Sequence, residues 1–286
     1  MDPVAFRIGP LPIHWYGILI IGGAVLGAWI SAREAKKRGH NPDHVWNLLT
    51  VVLILGIIGA RLYHVFSQPA VGIGWDYYKQ NPIDIIAFWK GLSTGNPNDI
   101  GFRGLGIYGG VIGGVIGVLL YTRLNKLRFA EWADMAVPAL LLAQAIGRWG
   151  NFVNQELFGP PTNLPWGISI DCLYRAQYAG LNCSVLGPDT RFHPTFLYES
   201  LWNVVGFIIV MTLLARYRRR LMEGDLLFFY LIWYPVGRFW IETWFRPDAW
   251  TLGALPAAAV FSILAALLGV AGLIYNHRFR PAPARR

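Results

Sequence analysis

The chain has 286 residues, of which 55% are hydrophobic and only 14% are charged. Soluble domains usually carry about 25% charged residues, so this composition excludes an ordinary soluble domain and indicates a membrane protein. The formal net charge of +9 comes from short basic clusters at the ends of apolar segments, a distribution that fits anionic membrane lipids and not a nucleic-acid surface.

Seven apolar segments are candidates for membrane spans. A spanning helix needs about 20 mostly apolar residues, and the fourth segment is short unless it begins near Phe129. The pattern predicts an all-α polytopic protein, with residues 1–286 forming a single integral-membrane domain. The predicted spans cover residues 15–31, 46–66, 105–121, 135–147, 196–217, 226–243 and 255–275.

Basic residues mark one side of the predicted membrane domain. They follow the first, third and fifth segments and recur in the tail, which makes that side cytoplasmic under the positive-inside rule. Seven spans then place the N-terminus outside and the C-terminus inside. The basic residues are Arg33, Lys36, Lys37, Arg38, Arg123, Lys126, Arg128, Arg216, Arg218, Arg219, Arg220, Arg278, Arg280, Arg285 and Arg286.

The two long outer connections differ in composition. Residues 67–104 carry aromatic side chains, among them Trp75, Phe88 and Trp89, typical of a segment at the membrane interface. Residues 158–194 are rich in proline and glycine and are predicted to form a small extracytoplasmic cap. Cys172 and Cys183 both lie there, and a disulfide and two free thiols are equally compatible with the sequence.

Two glycine patterns have different interpretations. Glycines 109, 113 and 117 repeat every four residues in the third segment, which favours close packing of membrane helices. The stretch Gly91-Leu-Ser93-Thr-Gly95 matches the spelling of a nucleophile elbow. That motif requires a strand-turn-helix context, and this copy lies in a hydrophilic loop, so we do not predict a serine nucleophile.

The stretch Gly147-Arg148-Trp-Gly-Asn151-Phe-Val-Asn154-Gln-Glu156 places ionisable and amide groups directly after an apolar run. Such groups are costly inside a bilayer and usually mark a functional cavity. At 1.5 Å per helical residue, Arg61, Arg148 and Arg238 lie about 20–22 Å from the inner ends of their segments. Three arginines on three helices therefore reach one level in the outer half of the membrane.

Polar residues near the outer ends of other segments are predicted to reach the same level. Glu242 follows Arg238 by four residues and shares its helical face. We interpret Arg61 as a structural residue paired with a carboxylate, but Arg148 and Arg238 as ligand contacts, because carboxylates are too few to neutralise every arginine. The other residues of this level are His14, Trp15, Tyr16, Tyr108, His193, Tyr198 and Glu199.

The chemistry of this level predicts its ligand. A guanidinium binds phosphate through two hydrogen bonds and keeps its charge when buried. A phosphate at this depth belongs to a lipid, so the predicted ligand is an anionic phospholipid headgroup. The sequence contains no His-Glu-x-x-His, Cys-x-x-Cys or P-loop motif, and we predict no metal and no cofactor.

Four motifs resemble the bacterial phosphatidylglycerol–prolipoprotein diacylglyceryl transferase family, and together they cover most of the chain in that family's order. The resemblance implies a seven-span inner-membrane enzyme with its N-terminus outside. It implies transfer of a diacylglyceryl group from phosphatidylglycerol to the lipobox cysteine of a preprolipoprotein, with release of glycerol phosphate. The motifs are Gly147 to Glu156, Ile8-Gly-Pro-Leu-Pro-Ile-His14-Trp-Tyr16-Gly, His193-Pro-Thr-Phe-Leu-Tyr198-Glu199 and Tyr234-Pro-Val-Gly-Arg238-Phe-Trp-Ile-Glu242.

Carried over by position, the resemblance implies that Arg148 is the lipid-phosphate ligand. Asn151, Asn154, Glu156 and Gly159 complete that signature, and the further positions tied to activity are Tyr16, Tyr234, Arg238 and Glu242. Two departures limit the transfer. Many members have histidine where this chain has Tyr108, and the spacing from Glu242 to Arg246 is one residue longer than usual, so neither a histidine base nor a role for Arg246 is carried over.

The resulting hypothesis is substitution at the glyceryl carbon that bears the phosphate, with negative charge growing on the leaving phosphate beside Arg148 and Arg238. No residue is assigned as the base. His14 ranks first by type and His193 second, although either also suits a capping role, and Tyr108 is better suited to donate a hydrogen bond. The catalytic prediction comprises Arg148, Arg238, Tyr16, Asn151, Glu156, Glu242 and His14. The substrate-binding prediction comprises both arginines with Asn154, Gly159, Tyr108, Tyr234, Tyr198 and Glu199.

Two other classes of protein use buried cations. A transporter or flippase for an anionic lipid or small anion often contains inverted repeats, which this sequence does not show. A structural protein that binds phospholipid explains the arginines but not the surrounding shell of asparagine, tyrosine and glutamate.

Overall fold

A computed structural model describes residues 2–9, 11–67, 74–86, 105–176, 178, 180–246, 251–253 and 255–280. Phe88, Trp89, the elbow-like stretch around Ser93 and the tail residues Arg285 and Arg286 lie outside these ranges. Most described residues are helical.

The described part of the chain contains seven long helices, and each overlaps one predicted span. The fourth begins at Phe129 and is therefore long enough to cross a bilayer. The helices are α1 (Trp15–Lys37), α2 (Asp43–Phe66), α3 (Ile107–Leu124), α4 (Phe129–Val153), α5 (Thr195–Arg216), α6 (Asp225–Trp244) and α7 (Ala257–Phe279).

Six of these helices are long and apolar enough to cross a membrane: α1, α2, α3, α4, α5 and α7. The class of the fold, an all-α polytopic membrane protein, is confirmed at this level. The exception is α6, which has 20 residues. Its Arg238, Glu242, tryptophans and tyrosines lower its hydropathy, so the count of seven spans remains a prediction.

Short elements connect the long helices. Single-turn or two-turn helices lie at Trp75–Gln80, Pro82–Ile85, Cys172–Arg175 and Cys183–Leu186. Three two-stranded sheets pair neighbouring strands, namely β1 (Val4–Ile8) with β2 (Leu11–His14), β3 (Ile168–Ser169) with β4 (Arg191–Phe192), and β5 (Thr251–Leu252) with β6 (Leu255–Pro256).

The chain divides into two compact units. The first comprises Met1–Ala5, His14–Ser31 and Ala133–Arg286, and the second comprises Phe6–Ile13 and Ala32–Trp132.

In the second unit, glycines bring α2 and α3 into backbone contact. A Cβ atom on Gly109 would overlap the carbonyl oxygen of Gly59, and one on Gly113 would overlap that of Leu55. The packing role predicted for the glycine repeat is confirmed.

Arg61 fastens α2 to the segment that follows it in this unit. Its guanidinium donates to the carbonyl oxygens of Ile85 (2.8 Å) and Asp84 (2.5 Å) and lies 5.1 Å from the centre of the Tyr78 ring. These contacts are structural, as predicted for Arg61, although carbonyl groups and a ring are among its partners where we expected a carboxylate.

In the first unit, paired tryptophans join α5 to α6. The rings of Trp202 and Trp233 stack with centroids 4.4 Å apart. Each indole N–H donates to the other residue's carbonyl oxygen, at 2.9 and 3.1 Å. Gly206 and Gly237 leave the space that these rings occupy. The pair fixes the positions of the two helices that carry Glu199 and Arg238.

The start of α6 is held by carboxylates in the first unit. Asp134 of α4 accepts hydrogen bonds from the backbone N–H groups of Gly224 (2.7 Å) and Leu227 (2.8 Å), which compensates the positive end of the helix dipole. Asp225, the first residue of α6, accepts from Asn276 and contacts His277 near the end of α7. The helices α6 and α7 are therefore antiparallel neighbours.

Residues 158–194, the predicted cap, contain a small folded segment within the first unit. Phe158, Ile170 and Phe192 make its apolar centre, and a disulfide joins Cys172 to Cys183. The fully buried Arg175 donates to the carbonyl oxygens of Leu181 (2.8 Å) and Gly187 (3.0 Å). The sequence left the pairing of the two cysteines open, and the structure contains the bond.

Candidate functional site

Arg148 of α4 and Arg238 of α6 meet at one carboxylate oxygen. Oε2 of Glu199, on α5, forms an ion pair with Arg148 at 2.8 Å and accepts a hydrogen bond from Arg238 at 2.7 Å. The side chains of Arg148, Arg238 and Glu199 are only 17, 18 and 7% exposed, respectively. Two guanidiniums from different helices are thus held at one point in a largely enclosed environment.

A second carboxylate extends this cluster along α6. Glu242 forms an ion pair with Arg238, four residues earlier on the same face, and lies 3.8 Å from the guanidinium of Arg246. Three guanidiniums therefore share two carboxylates. Arg246, to which the sequence assigned no role, is part of this arrangement and is 14% exposed.

Glu156 is directed back toward the end of α4 by an unusual turn. Gln155 and Leu157, on either side of it, have φ values of 52° and 56°, in the left-handed region that residues other than glycine rarely occupy. The Glu156 carboxylate accepts from the side-chain amides of Asn151 (2.8 Å) and Asn154 (3.3 Å). Strained backbone of this kind concentrates at functional sites.

Two tyrosines flank Arg148. Tyr16, at the start of α1, interacts electrostatically with Arg148 and Glu156, and its ring lies against Gly150, where a Cβ atom would overlap it. Tyr234 of α6 also interacts with the Arg148 guanidinium. Both tyrosines thus lie beside the Arg148 side chain, and Tyr16 also lies beside Glu156.

The sequence analysis missed two residues behind Tyr234. The ring of Tyr230 stacks on that of Tyr234, with centroids 5.6 Å apart, and the Tyr230 hydroxyl accepts from the amide of Gln144 at 2.7 Å. Gln144 precedes Arg148 by four residues inside an apolar run. That spacing places both on one helical face and was the signal available in the sequence.

Tyr198 lies beside the cluster but has partners in the cap. Its hydroxyl accepts from the indole N–H of Trp166 at 2.9 Å and is 3.0 Å from Nδ1 of His193. Burial lowers the pKa of His193, which favours the neutral imidazole. Gly159 donates its backbone N–H to the carbonyl of His193 (2.9 Å), and a Cβ there would lie 2.8 Å from the Cβ of His193.

Two predicted residues are not joined to the cluster by a contact that the structure describes. His14 ends β2 with an exposed side chain, and among the described residues no hydrogen bond or ion pair connects it to Arg148, Arg238 or Glu199. Tyr108 belongs to the second unit, where its ring lies 5.8 Å from that of Tyr63. The roles of both residues remain predictions.

The cluster suits an anion. A cavity of about 10 Å³ lies between α5 and α6, lined by Glu199, Tyr234, Arg238 and neighbouring side chains, which is room for about one water molecule. Within the described ranges, no three His, Cys, Asp or Glu side chains are grouped to hold a metal ion. Convergent, enclosed guanidiniums offer hydrogen bonds and charge to phosphate or carboxylate groups.

The fold and site define a polytopic membrane protein with an arginine cluster enclosed among its helices. A family model for prolipoprotein diacylglyceryl transferase matches residues 3–275, and the chain belongs to that family. It is similar to proteins named phosphatidylglycerol–prolipoprotein diacylglyceryl transferase from Chloroflexus aggregans (41% identical over 97% of this chain and 90% of the relative) and Lysinibacillus sphaericus (37% over 100% and 96%). A relative with the same name from Trichormus variabilis is 40% identical over 98% of this chain and 92% of its own length. These names do not favour the transporter alternative.

Proposed function

We propose that this protein transfers the diacylglyceryl group of phosphatidylglycerol to the cysteine sulfur of a prolipoprotein lipobox. The product is a thioether, and glycerol phosphate is released. The observation that carries the proposal is the convergence of Arg148 and Arg238 on one oxygen of Glu199, in a chain that matches relatives of this name over nearly its whole length.

In the proposed reaction, the cysteine sulfur attacks the carbon of the diacylglyceryl group that is attached to the phosphate oxygen. The carbon–sulfur bond forms, the carbon–oxygen bond breaks, and its electron pair leaves with the phosphate. Arg148 and Arg238 stabilise the negative charge that grows on that leaving group. The thiol is already a few per cent ionised near neutral pH, so the demand for a base is mild, and the proton passes to solvent or to a nearby basic group.

Glu199 occupies the position between the two guanidiniums that a phosphate needs. Because the neighbouring cavity holds about one water molecule, a lipid headgroup enters only if the Glu199 side chain gives way. We propose that phosphate replaces Glu199 as the shared partner of Arg148 and Arg238, while Glu242 keeps Arg238 in place. Asn151, Asn154 and Tyr16 hold Glu156 and the end of α4 in the arrangement that orients Arg148.

We also propose that α6 is the seventh span, in a bacterial inner membrane, with the cluster toward the outer leaflet. Three observations support this assignment. The 20 residues of α6 extend about 30 Å, the thickness of the hydrocarbon core. Its antiparallel neighbour α7 is one of the six apolar helices. The residues that lower its hydropathy include Arg238 and Glu242, whose charges are compensated within the cluster.

The test uses purified protein, phosphatidylglycerol and a synthetic lipobox peptide, with the mass of the peptide as the readout. Wild type adds the diacylglyceryl mass to the cysteine. Arg148→Ala lowers the rate by about 10² to 10³. Arg148→Lys also lowers the rate, because the ammonium group of lysine cannot form the two parallel hydrogen bonds that a guanidinium donates to a phosphate.

Arg216→Ala is the matched control, because Arg216 is exposed at the end of α5, outside the cluster. It retains the wild-type rate. A wild-type protein that adds no mass to the cysteine contradicts the proposed reaction, and wild-type rates in a folded Arg148→Ala protein contradict the phosphate-binding role.

A further inference from the structure

The cap contains an open cleft of about 870 Å³. Its lining consists of two chain segments, residues 161–165 (the first wall) and Asp189, Thr190 and Arg191 (the second wall), together with His193. Binding sites for small ligands and short segments commonly occupy about 300–1,000 Å³. The cleft is therefore large enough to hold several residues of a polypeptide.

One lining residue of the cleft, His193, contacts α5, the helix that carries Glu199. Nδ1 of His193 lies 3.0 Å from the Tyr198 hydroxyl, and Tyr198 also accepts from Trp166, the residue that follows the first wall. The next residue, Glu199, receives both guanidiniums. Consecutive residues of α5, Tyr198 and Glu199, thus contact the cleft residue His193 and the arginine cluster, respectively.

The lining of the cleft differs from that of the cluster. Its walls combine one acidic and one basic side chain, Asp189 and Arg191, with uncharged Thr, Asn, Pro and Leu side chains. This mixture offers hydrogen-bond donors, acceptors and apolar surface but no excess positive charge. It fits an uncharged stretch of polypeptide better than an anionic lipid headgroup.

The cleft is built on fixed backbone. The N–H of Thr162 donates to the carbonyl of Arg191 at 2.9 Å, and the N–H of His193 donates to that of Pro160 at 3.0 Å. The disulfide and the buried Arg175 hold the segment between the walls. A preformed site avoids the entropy cost of ordering its walls when the ligand binds.

We propose that this cleft binds the segment of the acceptor polypeptide next to its cysteine and presents the thiol to the arginine cluster. The inference rests on the proposed function, because that reaction requires a protein acceptor as well as a lipid. It assigns separate sites to the two substrates, with the lipid phosphate at Arg148 and Arg238 and the polypeptide in the cap.

The first experiment needs no turnover. A lipobox peptide carrying a photoreactive benzophenone two residues before the cysteine is irradiated with the full-length protein in phosphatidylglycerol nanodiscs. We expect crosslinks within residues 161–165 or 189–193 by mass spectrometry. Crosslinks confined to other parts of the chain overturn the proposal, whether or not the protein transfers lipid, so this result is independent of the proposed function.

The second experiment measures steady-state kinetics. Asn163→Trp and Asp189→Trp each add a large side chain at an exposed position, one in each wall of the cleft, and raise KM for the peptide about tenfold, equivalent to about 1.4 kcal/mol. The KM for phosphatidylglycerol and the kcat at saturating peptide stay within twofold of wild type. Leu173→Trp, at a cap residue that is 76% exposed and outside the cleft, is the control and changes none of these three constants. An unchanged peptide KM in both cleft variants overturns the proposal.

Discussion

Glu199 is the residue on which the charge balance of the site depends. Its carboxylate is buried and contacts two guanidiniums that would repel each other without it. Removing one partner of a buried ion pair is costly, because an uncompensated charge remains in a poorly solvated environment. Glu199 therefore compensates both guanidiniums, and the proposed function requires a phosphate to take its place between them.

Glu199→Gln tests this exchange, because glutamine keeps the size of the side chain and removes its charge. We expect a less stable protein in neutral detergent, by about 3–5 kcal/mol. Phosphatidylglycerol restores part of the lost thermal stability, and phosphatidylcholine does not. The unfolding midpoint with each lipid is the measurement.

Asp76→Asn is the control for Glu199→Gln. Asp76 forms an exposed ion pair with Lys79, and such pairs contribute only about 0–1 kcal/mol. If Glu199→Gln is as stable as this control, or gains equally from both lipids, Glu199 does not hold the place of an anion.

Two glycines of one motif allow a second test at the residue scale. A Cβ atom on Gly150 would overlap the Tyr16 ring, whereas one on Gly147 meets no atom within 4 Å. We expect Gly150→Ala to displace Tyr16 and to lower the transfer rate about 10²-fold, the typical effect of a misplacement near 1 Å. Gly147→Ala retains the rate, and equal losses in the two variants contradict the role of Tyr16.

Counting residues from the helix ends was enough to bring Arg148, Arg238 and Glu199 to one level, since helical rise is nearly constant. The rotation of each helix about its axis depends on packing partners. Sequence reasoning could therefore not show that both arginines share one oxygen, or that Tyr198 faces Trp166 and His193. Gln144 was missed because a single amide in an apolar run does not indicate which neighbouring helix supplies its hydrogen-bond partner.

At the scale of elements, helix contacts in this protein depend on small residues as much as on apolar ones. Membrane helices gain no hydrophobic energy by leaving lipid for each other, so close approach and dispersion contacts decide their packing. The α2–α3 pair follows this rule, because Gly109 and Gly113 of α3 admit backbone atoms of α2. A four-residue repeat of glycine was sufficient to predict that face. The stacked tryptophans between α5 and α6 could not be predicted, since neither sequence segment indicates its partner.

Gly113→Leu tests the α2–α3 contact. A Cβ at Gly113 would overlap the carbonyl oxygen of Leu55, so we expect the variant to lose about 1–3 kcal/mol of stability through overpacking. Gly114→Ala is the matched control, because its Cβ would lie 3.6 Å from Val52, an ordinary contact. Thermal unfolding in detergent compares the two, and equal midpoints contradict the packing role.

At the scale of the whole molecule, the charged residues of the candidate site explain why α6 is less apolar than the other six long helices. The helix α6 carries Arg238 and Glu242, and charged residues lower the mean hydropathy of a helix whether or not they are compensated. In the structure they are compensated by Glu199, Arg246 and each other. Because residues of the candidate site lower the hydropathy of α6, hydropathy alone does not identify this helix as a span. The basic clusters between the helices are the better predictor of the topology.

The number of spans decides whether the two ends of the chain lie on the same side of the membrane. With α6 spanning, a cysteine in place of Asp2 is labelled by a membrane-impermeant maleimide in intact spheroplasts, and one in place of Arg280 is labelled only after permeabilisation. The native cysteines are joined in a disulfide and do not react. Asn125→Cys, after α3, is predicted to lie inside and serves as the control.

Labelling of Asp2→Cys and Arg280→Cys on the same side shows that α6 does not cross, because an even number of spans returns the chain to its starting side. Labelling on opposite sides with Arg280→Cys outside keeps seven spans and contradicts the orientation drawn from the basic residues.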